Sequence, residues 1–251
     1  MTSPLYSFDP AAMDTPMTML CRGKTFQAWV APVMWHPSWW SFMDELATRE
    51  AFWRIEPGDV VVDAGGDFGS YALSALAQGA QHVYSWSPPF KLPTEAVEAA
   101  TMARSAALNG WGPDRLSVFV TGLWSQNGFL AAFDGPRLPQ WFSTPEAAAA
   151  AIAGQPGHVA TFPVGKLDLM RLPRLDMLKI DTEGAELDIL QGAEQTLMRC
   201  RPRGVLLENH VHLDPDCVAK CSEFLEAVGY RLMETLPHHS ISHSFYEPVP
   251  T

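Results

Sequence analysis

The sequence predicts an α/β fold: a central, mostly parallel sheet with helices on both faces, preceded by an N-terminal helical cap. Three observations carry this expectation. From residue 56 onward, short β-branched apolar runs alternate with segments of helical length, the pattern of successive strand–helix–strand units. The first of these runs, residues 59–64, opens directly into a glycine-rich loop. The chain of 251 residues is 47% hydrophobic and 18% charged, which suffices for a sizeable core.

Residues 1–55 stand apart through their aromatic content, holding Trp29, Trp35, Trp39, Trp40 and Trp53. A helix is expected over 38–54, with Trp39, Phe42, Met43, Leu46 and Phe52 near one face. This segment reads as a cap or lid whose tryptophans either pack on the main domain or line a substrate pocket. The main domain runs from 56 to 251. Pro57-Gly58 marks a turn, and 59–64 has the apolar run of a strand buried on both faces. A helix over 69–78, a strand over 82–87, a helix over 93–109 ending at Asn109-Gly110 and a strand over 116–120 follow. An insertion at about 125–165 interrupts the alternation and reads as irregular. It includes one short Ala-rich helix, capped by Thr144, opened by Pro145 and ended by Gly154. The alternation resumes with a strand over 176–180, a helix over 184–199, a strand over 204–208, a helix over 215–228 and a strand over 230–235. The tail at 240–246 is expected to pair back antiparallel. Ligands of such sheets bind beyond the C-terminal strand ends, where the strand order switches.

The net charge of −11 argues against nucleic acid, whose non-specific affinity for proteins comes from Lys and Arg, and against an anionic membrane surface. No run of 18 apolar residues exists, so no transmembrane helix is expected. The start, Met1-Thr-Ser-Pro-Leu-Tyr, lacks the basic-then-apolar order of a secretory signal, and four cysteines are too few for a disulfide scaffold. A cytoplasmic protein is the expectation. Oligomeric state has no signature.

The first strand runs into Asp63-Ala64-Gly65-Gly66-Asp67-Phe68-Gly69 and then a helix. Glycines allow a tight turn and close approach of a ligand, and the helix start offers unpaired N–H groups. Asp63 at the strand end would repel a pyrophosphate and welcome a cationic ligand, which favours S-adenosylmethionine over a dinucleotide. A phosphate loop of the Gly-Lys-Ser/Thr type is excluded.

This loop, together with Pro57-Gly58-Asp59-Val60-Val61-Val62 before it, resembles the first motif of the FkbM family of S-adenosylmethionine-dependent methyltransferases. Asp176-Met177-Leu178-Lys179-Ile180-Asp181-Thr182-Glu183-Gly184-Ala185-Glu186, with Leu190-Gln191-Gly192-Ala193 behind it, resembles a second and more specific block. Gly122-Leu123-Trp124-Ser125, Arg201-Pro202 and Val205-Leu206-Leu207-Glu208-Asn209-His210 fit further segments, so the likeness spans roughly residues 56–210. It implies a class I methyltransferase (Rossmann-like) fold, S-adenosyl-L-methionine as cofactor, and O-methylation of a small-molecule or carbohydrate-like hydroxyl acceptor. Carried onto this chain, the cofactor residues are Asp63, Gly65, Gly66, Asp67, Phe68, Gly69, Ser87, Gly122, Leu123 and Asp181. At Ser87 the family usually has a glutamate that accepts hydrogen bonds from the ribose hydroxyls. Loss of that charged acceptor is expected to cost about 1–3 kcal/mol, and Asp67 is one candidate to replace it. The departure keeps open a non-catalytic, methyltransferase-like binding protein; an NAD-dependent oxidoreductase is disfavoured by Asp63.

Methyl transfer to an alcohol needs alignment and a proton acceptor. Asp181, Glu183 and His210 end adjacent strands and are the catalytic candidates. Each has a plainer reading: loop support for Asp181, helix capping for Glu183, an exposed loop histidine for His210. Lys179 is expected to pair with a carboxylate. Asp181, Glu183, Glu208 and His210 have the donor types of a hard-cation site, but no metal is assigned. His210, His212, Cys217 and Cys221 do not match a common zinc spacing; the two cysteines, one helical turn apart, are expected to pack on the sheet. His238, His239 and His243 are expected to be solvated. Trp39, Trp40 and Trp124 are candidates to stack on a sugar face.

Overall fold

The computed structural model describes residues 16–21, 23–29, 54–89, 97–133, 137–238 and 240–250. Its centre is a seven-stranded sheet. The strands are β3 (Val60–Ala64), β4 (His82–Trp86), β5 (Leu116–Phe119), β10 (Met177–Ile180), β11 (Gly204–Asn209), β12 (Tyr230–His238) and β13 (Ile241–Pro248), in the order β12-β13-β11-β10-β3-β4-β5. Neighbours from β11 to β5 run parallel. β13 inserts antiparallel to both β11 and β12, with Leu206 opposite Phe245, as the tail was expected to do. Chain order reverses at β3, whose neighbours are β4 and β10, so the crevice for a ligand lies above these three strands.

Each strand feeds two cores because successive side chains point to opposite faces. Val61, Val83, Met177, Leu206 and Phe245 pack with helix α1 (Ser70–Gln78) and helix α2 (Val97–Leu108). Val62, Leu178, Ile180, Val205 and Leu207 pack on the other face with α4 (Glu186–Gly192), α5 (Glu194–Cys200) and α6 (Cys217–Ala227). At about 25 cal/mol per Å2, such two-sided burial is what selects apolar β-branched residues over alternation here. Cys217 and Cys221 are buried on α6, and burial pushes the Cys217 thiol up to about 11; they are core thiols, as expected.

The helix expected over 184–199 is two helices. At Gly192 the backbone carbonyl of Trp124 approaches so closely that a Cβ would lie 2.1 Å from it. Asp168 then starts α5 afresh by accepting from the N–H groups of Thr196 (2.8 Å) and Gln195 (3.1 Å).

Two further expectations change. The 125–165 segment is ordered into a second sheet formed by β6 (Gly122–Leu123), β7 (Gly128–Phe133), β8 (Gln140–Phe142) and β9 (His158–Gly165), in the order β6-β9-β7-β8, with Leu130 opposite Phe162. Helix α3 (Pro145–Ile152) joins it, with the Ala147 N–H donating to Thr144 Oγ1 as the cap. Leu123, Leu130, Phe162 and Val164 pack into the core beside Trp86. Trp124 is buried in that same core, so it is no exposed stacking platform. In the N-terminal segment, β1 (Met17–Cys21) and β2 (Lys24–Ala28) form an antiparallel hairpin. It is tied to α2 by Asn109 Nδ2 donating to Gln27 O (2.7 Å) and by the Trp29 N–H donating to Ser105 Oγ (2.8 Å). Trp39, Trp40 and the expected helix over 38–54, its last residue aside, lie outside the described residues. Among the described residues no helix is long and apolar enough to cross a membrane.

Candidate active site

The glycine loop leaves β3 at Gly65, whose φ of +83° suits glycine. Its space is as restricted as its backbone: a Cβ there would lie 1.6 Å from the carbonyl oxygen of Asp181. The Gly65 and Gly66 N–H groups both donate to Trp86 O, at 3.0 and 2.8 Å, which draws the loop over the end of β4. Asp67, at φ +46°, turns the chain into α1. Beneath the loop Lys179 gathers three partners. Its Nζ donates to Gly65 O (2.7 Å) and lies 3.0 Å from Asp63 Oδ1 and 3.4 Å from Asp181 Oδ2. Burial opposes the ammonium charge, but Asp63 and Asp181 outweigh it and hold the lysine above its ordinary pKa.

Above the loop is a cavity of about 320 Å3. One wall comes from the glycine loop and from Ser87 and Pro88 after β4; the opposite wall holds Asp181, Glu183 and Glu208; Leu130 and Phe162 of the second sheet close the side. Glu183 has φ +56°, a left-handed conformation that costs a non-glycine residue roughly 1–2 kcal/mol and aims its backbone into the turn before α4. Behind this wall is His210, 3% exposed. Its Nδ1 bonds Glu186 Oε1 at 2.8 Å, and its Nε2 faces Glu183 (3.3 Å) and Glu208 (3.6 Å). Burial disfavours the imidazolium, yet the hydrogen bond and charge of Glu186, with Glu183 and Asp181 behind it, raise the pKa to about 9. The ring is therefore a cation at neutral pH. Donor atoms of Asp181, Glu208 and His210 lie within 4.8 Å of one another.

Comparison with known proteins supplies the family. The family model for the methyltransferase FkbM domain matches residues 62–232, more than half of the chain. This chain belongs to the FkbM methyltransferase family. Among solved structures, an FkbM methyltransferase from Methylobacillus flagellatus is 14% identical, with a TM-score of 0.54 over 77% of this chain and 44% of that one. This chain thus spans less than half the length of that relative, and at this identity the likeness concerns the fold. A structure of M. jannaschii TYW2 in complex with AdoMet is 12% identical, with a TM-score of 0.45 over 94% of this chain and 87% of that one. No curated protein matches the chain.

Within this FkbM domain the expected site residues divide into two groups. Gly65, Asp67, Ser87, Gly122, Leu123, Asp181 and Glu183 line one cavity. Asp63 does not face a ligand as expected: it is fully buried, held by Lys179 and by Ser85 Oγ, which donates to it at 3.0 Å. The charge that was to greet a cationic ligand is spent on the lysine. Gly66, Phe68 and Gly69 shape the loop from behind; a Cβ on Gly66 would lie 2.0 Å from Ser85 Oγ. His210 is buried rather than exposed, and it lies against Glu186, Glu183 and Glu208 rather than among the residues that line the cavity. His243, expected in solvent, is buried on β13 with Nε2 2.9 Å from Glu208 Oε2. Ser87 is buried, and its hydroxyl donates to Asp67 O at 3.0 Å. The sequence reading missed Glu98, a buried carboxylate in the cavity wall. Its signal was a charge four residues before Met102, on the stripe of α2 that faces the core.

Proposed function

We propose that this FkbM-family chain is an S-adenosylmethionine-dependent O-methyltransferase acting on a hydroxyl of a small-molecule or carbohydrate-like acceptor. One observation carries the reading: the carboxylates of Asp181 and Glu183 share a cavity with the glycine loop at the switch point of the sheet. The cavity offers backbone and carboxylate partners suited to the cofactor. Gly65, Asp67, Ser87, Gly122, Leu123 and Asp181 would hold S-adenosylmethionine, which when bound supplies a methyl group activated on a sulfonium. Asp181, whose side chain is 30% exposed, would accept the hydrogen bond of the acceptor hydroxyl and take up its proton. Lys179 behind it fixes the carboxylate against β3. Glu183 orients the acceptor, and His210 is a positioning residue that holds Glu183 and Glu208 in place. The second sheet excludes water from one side, as a cover over the acceptor. The overall charge of −11 and this acidic wall favour a neutral, hydroxyl-rich acceptor over a polyanion.

Titration calorimetry with S-adenosylmethionine, S-adenosylhomocysteine and NAD tests the cofactor. One-site binding of the two sulfur compounds and none of NAD is expected. Transfer of labelled methyl to a panel of sugars and polyols then tests the chemistry. Asp181→Asn at saturating cofactor is expected to lower turnover about 10²–10⁴-fold. No heat with either sulfur compound would overturn the cofactor; undiminished turnover in Asp181→Asn would remove it as the base.

A further inference from the structure

The cavity is acidic on both sides of β3. Asp181, directly after β10, and Glu208, near the end of β11, stand on one side. On the β4 side the lining includes Asp67 of the glycine loop and a second carboxylate that comes from a helix. Glu98 stands in the first turn of α2, is 2% exposed and lines the cavity together with Ser87 and Pro88. Helix register fixes its direction. Glu98 and Met102 are four residues apart and share a face. Met102 is fully buried against the glycine loop: its Cγ lies 2.4 Å from where a Cβ on Gly69 would be, and its Cε 2.9 Å from one on Gly66. One helical turn towards the N-terminus from that contact, Glu98 reaches the cavity that Trp86, Ser87 and Pro88 also line. Ser87 commits its hydroxyl hydrogen to Asp67 O and carries no charge.

A carboxylate has about four lone-pair sites, so ligand hydroxyls can join the donors the protein provides. Vicinal hydroxyls match such a group, and this is how acidic side chains hold a ribose at the switch point of doubly wound sheets. We propose that Glu98 is the ribose-binding residue of this chain, accepting hydrogen bonds from the 2′ and 3′ hydroxyls of the nucleoside cofactor in place of an acid at position 87. The proposal rests on the S-adenosylmethionine reading and adds to it a residue from a different element.

A ligand-by-variant cycle tests it. S-adenosylhomocysteine and its 2′,3′-dideoxy analogue are titrated into the unaltered protein, Glu98→Gln, Ser87→Glu and the double variant. In the unaltered protein, removing the hydroxyls is expected to weaken binding 10–100-fold. Glu98→Gln is expected to bind S-adenosylhomocysteine 10–100-fold more weakly, and there the analogue loses less than threefold more. Ser87→Glu alone brings a second carboxylate beside Glu98 and is expected not to tighten binding; in the Glu98→Gln background it recovers at least tenfold. Unchanged affinity in Glu98→Gln, or an equal loss for both ligands, would overturn the ribose role and leave the cofactor reading standing. If the unaltered protein binds neither sulfur compound, the cofactor reading falls and takes the ribose role with it.

Discussion

At Gly65 backbone conformation and space make the same demand, and the two can be separated. Gly58 also has positive φ, +92°, but a Cβ there meets nothing within 4 Å. Gly58→Ala therefore isolates the left-handed cost, roughly 1–2 kcal/mol. Gly65→Ala adds a collision with the backbone carbonyl of Asp181, which directly follows β10 and is tied to β3 by its N–H donating to Ala64 O. We expect Gly65→Ala to lose more than about 3 kcal/mol and to abolish S-adenosylhomocysteine binding, as measured by urea unfolding and calorimetry. Equal losses at the two positions would show that the loop yields. Residue chemistry was legible in the sequence where geometry followed from the motif: Asp181 and Glu183 reach the cavity because they immediately follow a central strand. It was illegible where a neighbour intervened. Asp63 is as close to the loop in sequence, yet Lys179, 116 residues later in the chain, takes its charge.

Three elements meet at His210, where β11, α4 and the turn after β10 place Glu208, Glu186 and Glu183 around one ring. The folded ring binds its proton more tightly than the unfolded one, with a pKa of about 9 against 6.5. The stability this contributes is complete below about pH 6.5 and is lost as pH rises through about 9. The shift corresponds to on the order of 3 kcal/mol. His210→Gln leaves Glu186 buried without its cation, so a loss of about 3–5 kcal/mol is expected at pH 6.5, shrinking by on the order of 2–3 kcal/mol by pH 9.5. Chemical unfolding of both proteins at the two pH values measures this; a gap independent of pH would mean the folded ring is neutral. The elements themselves were legible where strands are buried on both faces, since Val60-Val61-Val62 is an unbroken β-branched run and 177–180 is apolar but for Lys179. The second sheet was not. Its β7 reads Gly-Phe-Leu-Ala-Ala-Phe, with neither β-branched residues nor a period of two, and its pairing with β9 spans some thirty residues that no local pattern encodes.

At the scale of the molecule, the cavity is where separate parts converge: the glycine loop, the start of α2, the end of β10 and the second sheet all contribute to its wall. A ligand there binds the folded chain and has no site on the unfolded one, so occupancy adds RT ln(1 + [L]/Kd) to stability, about 2.7 kcal/mol at a hundredfold excess over Kd. A domain of this size shifts its Tm by about 2–4 °C per kcal/mol. S-adenosylhomocysteine at that excess is therefore expected to raise Tm by about 5–10 °C, and NAD at the same concentration to leave it unchanged. Because the second sheet reaches the same cavity through Leu123, Leu130 and Phe162, it should gain protection together with the main sheet: amides of β7 and β9 are expected to exchange more slowly with ligand bound, alongside those of β3 and β10. A shift in Tm with protection confined to the main sheet would mean that the second sheet does not cover the ligand, and the acceptor would then have to approach from an open side.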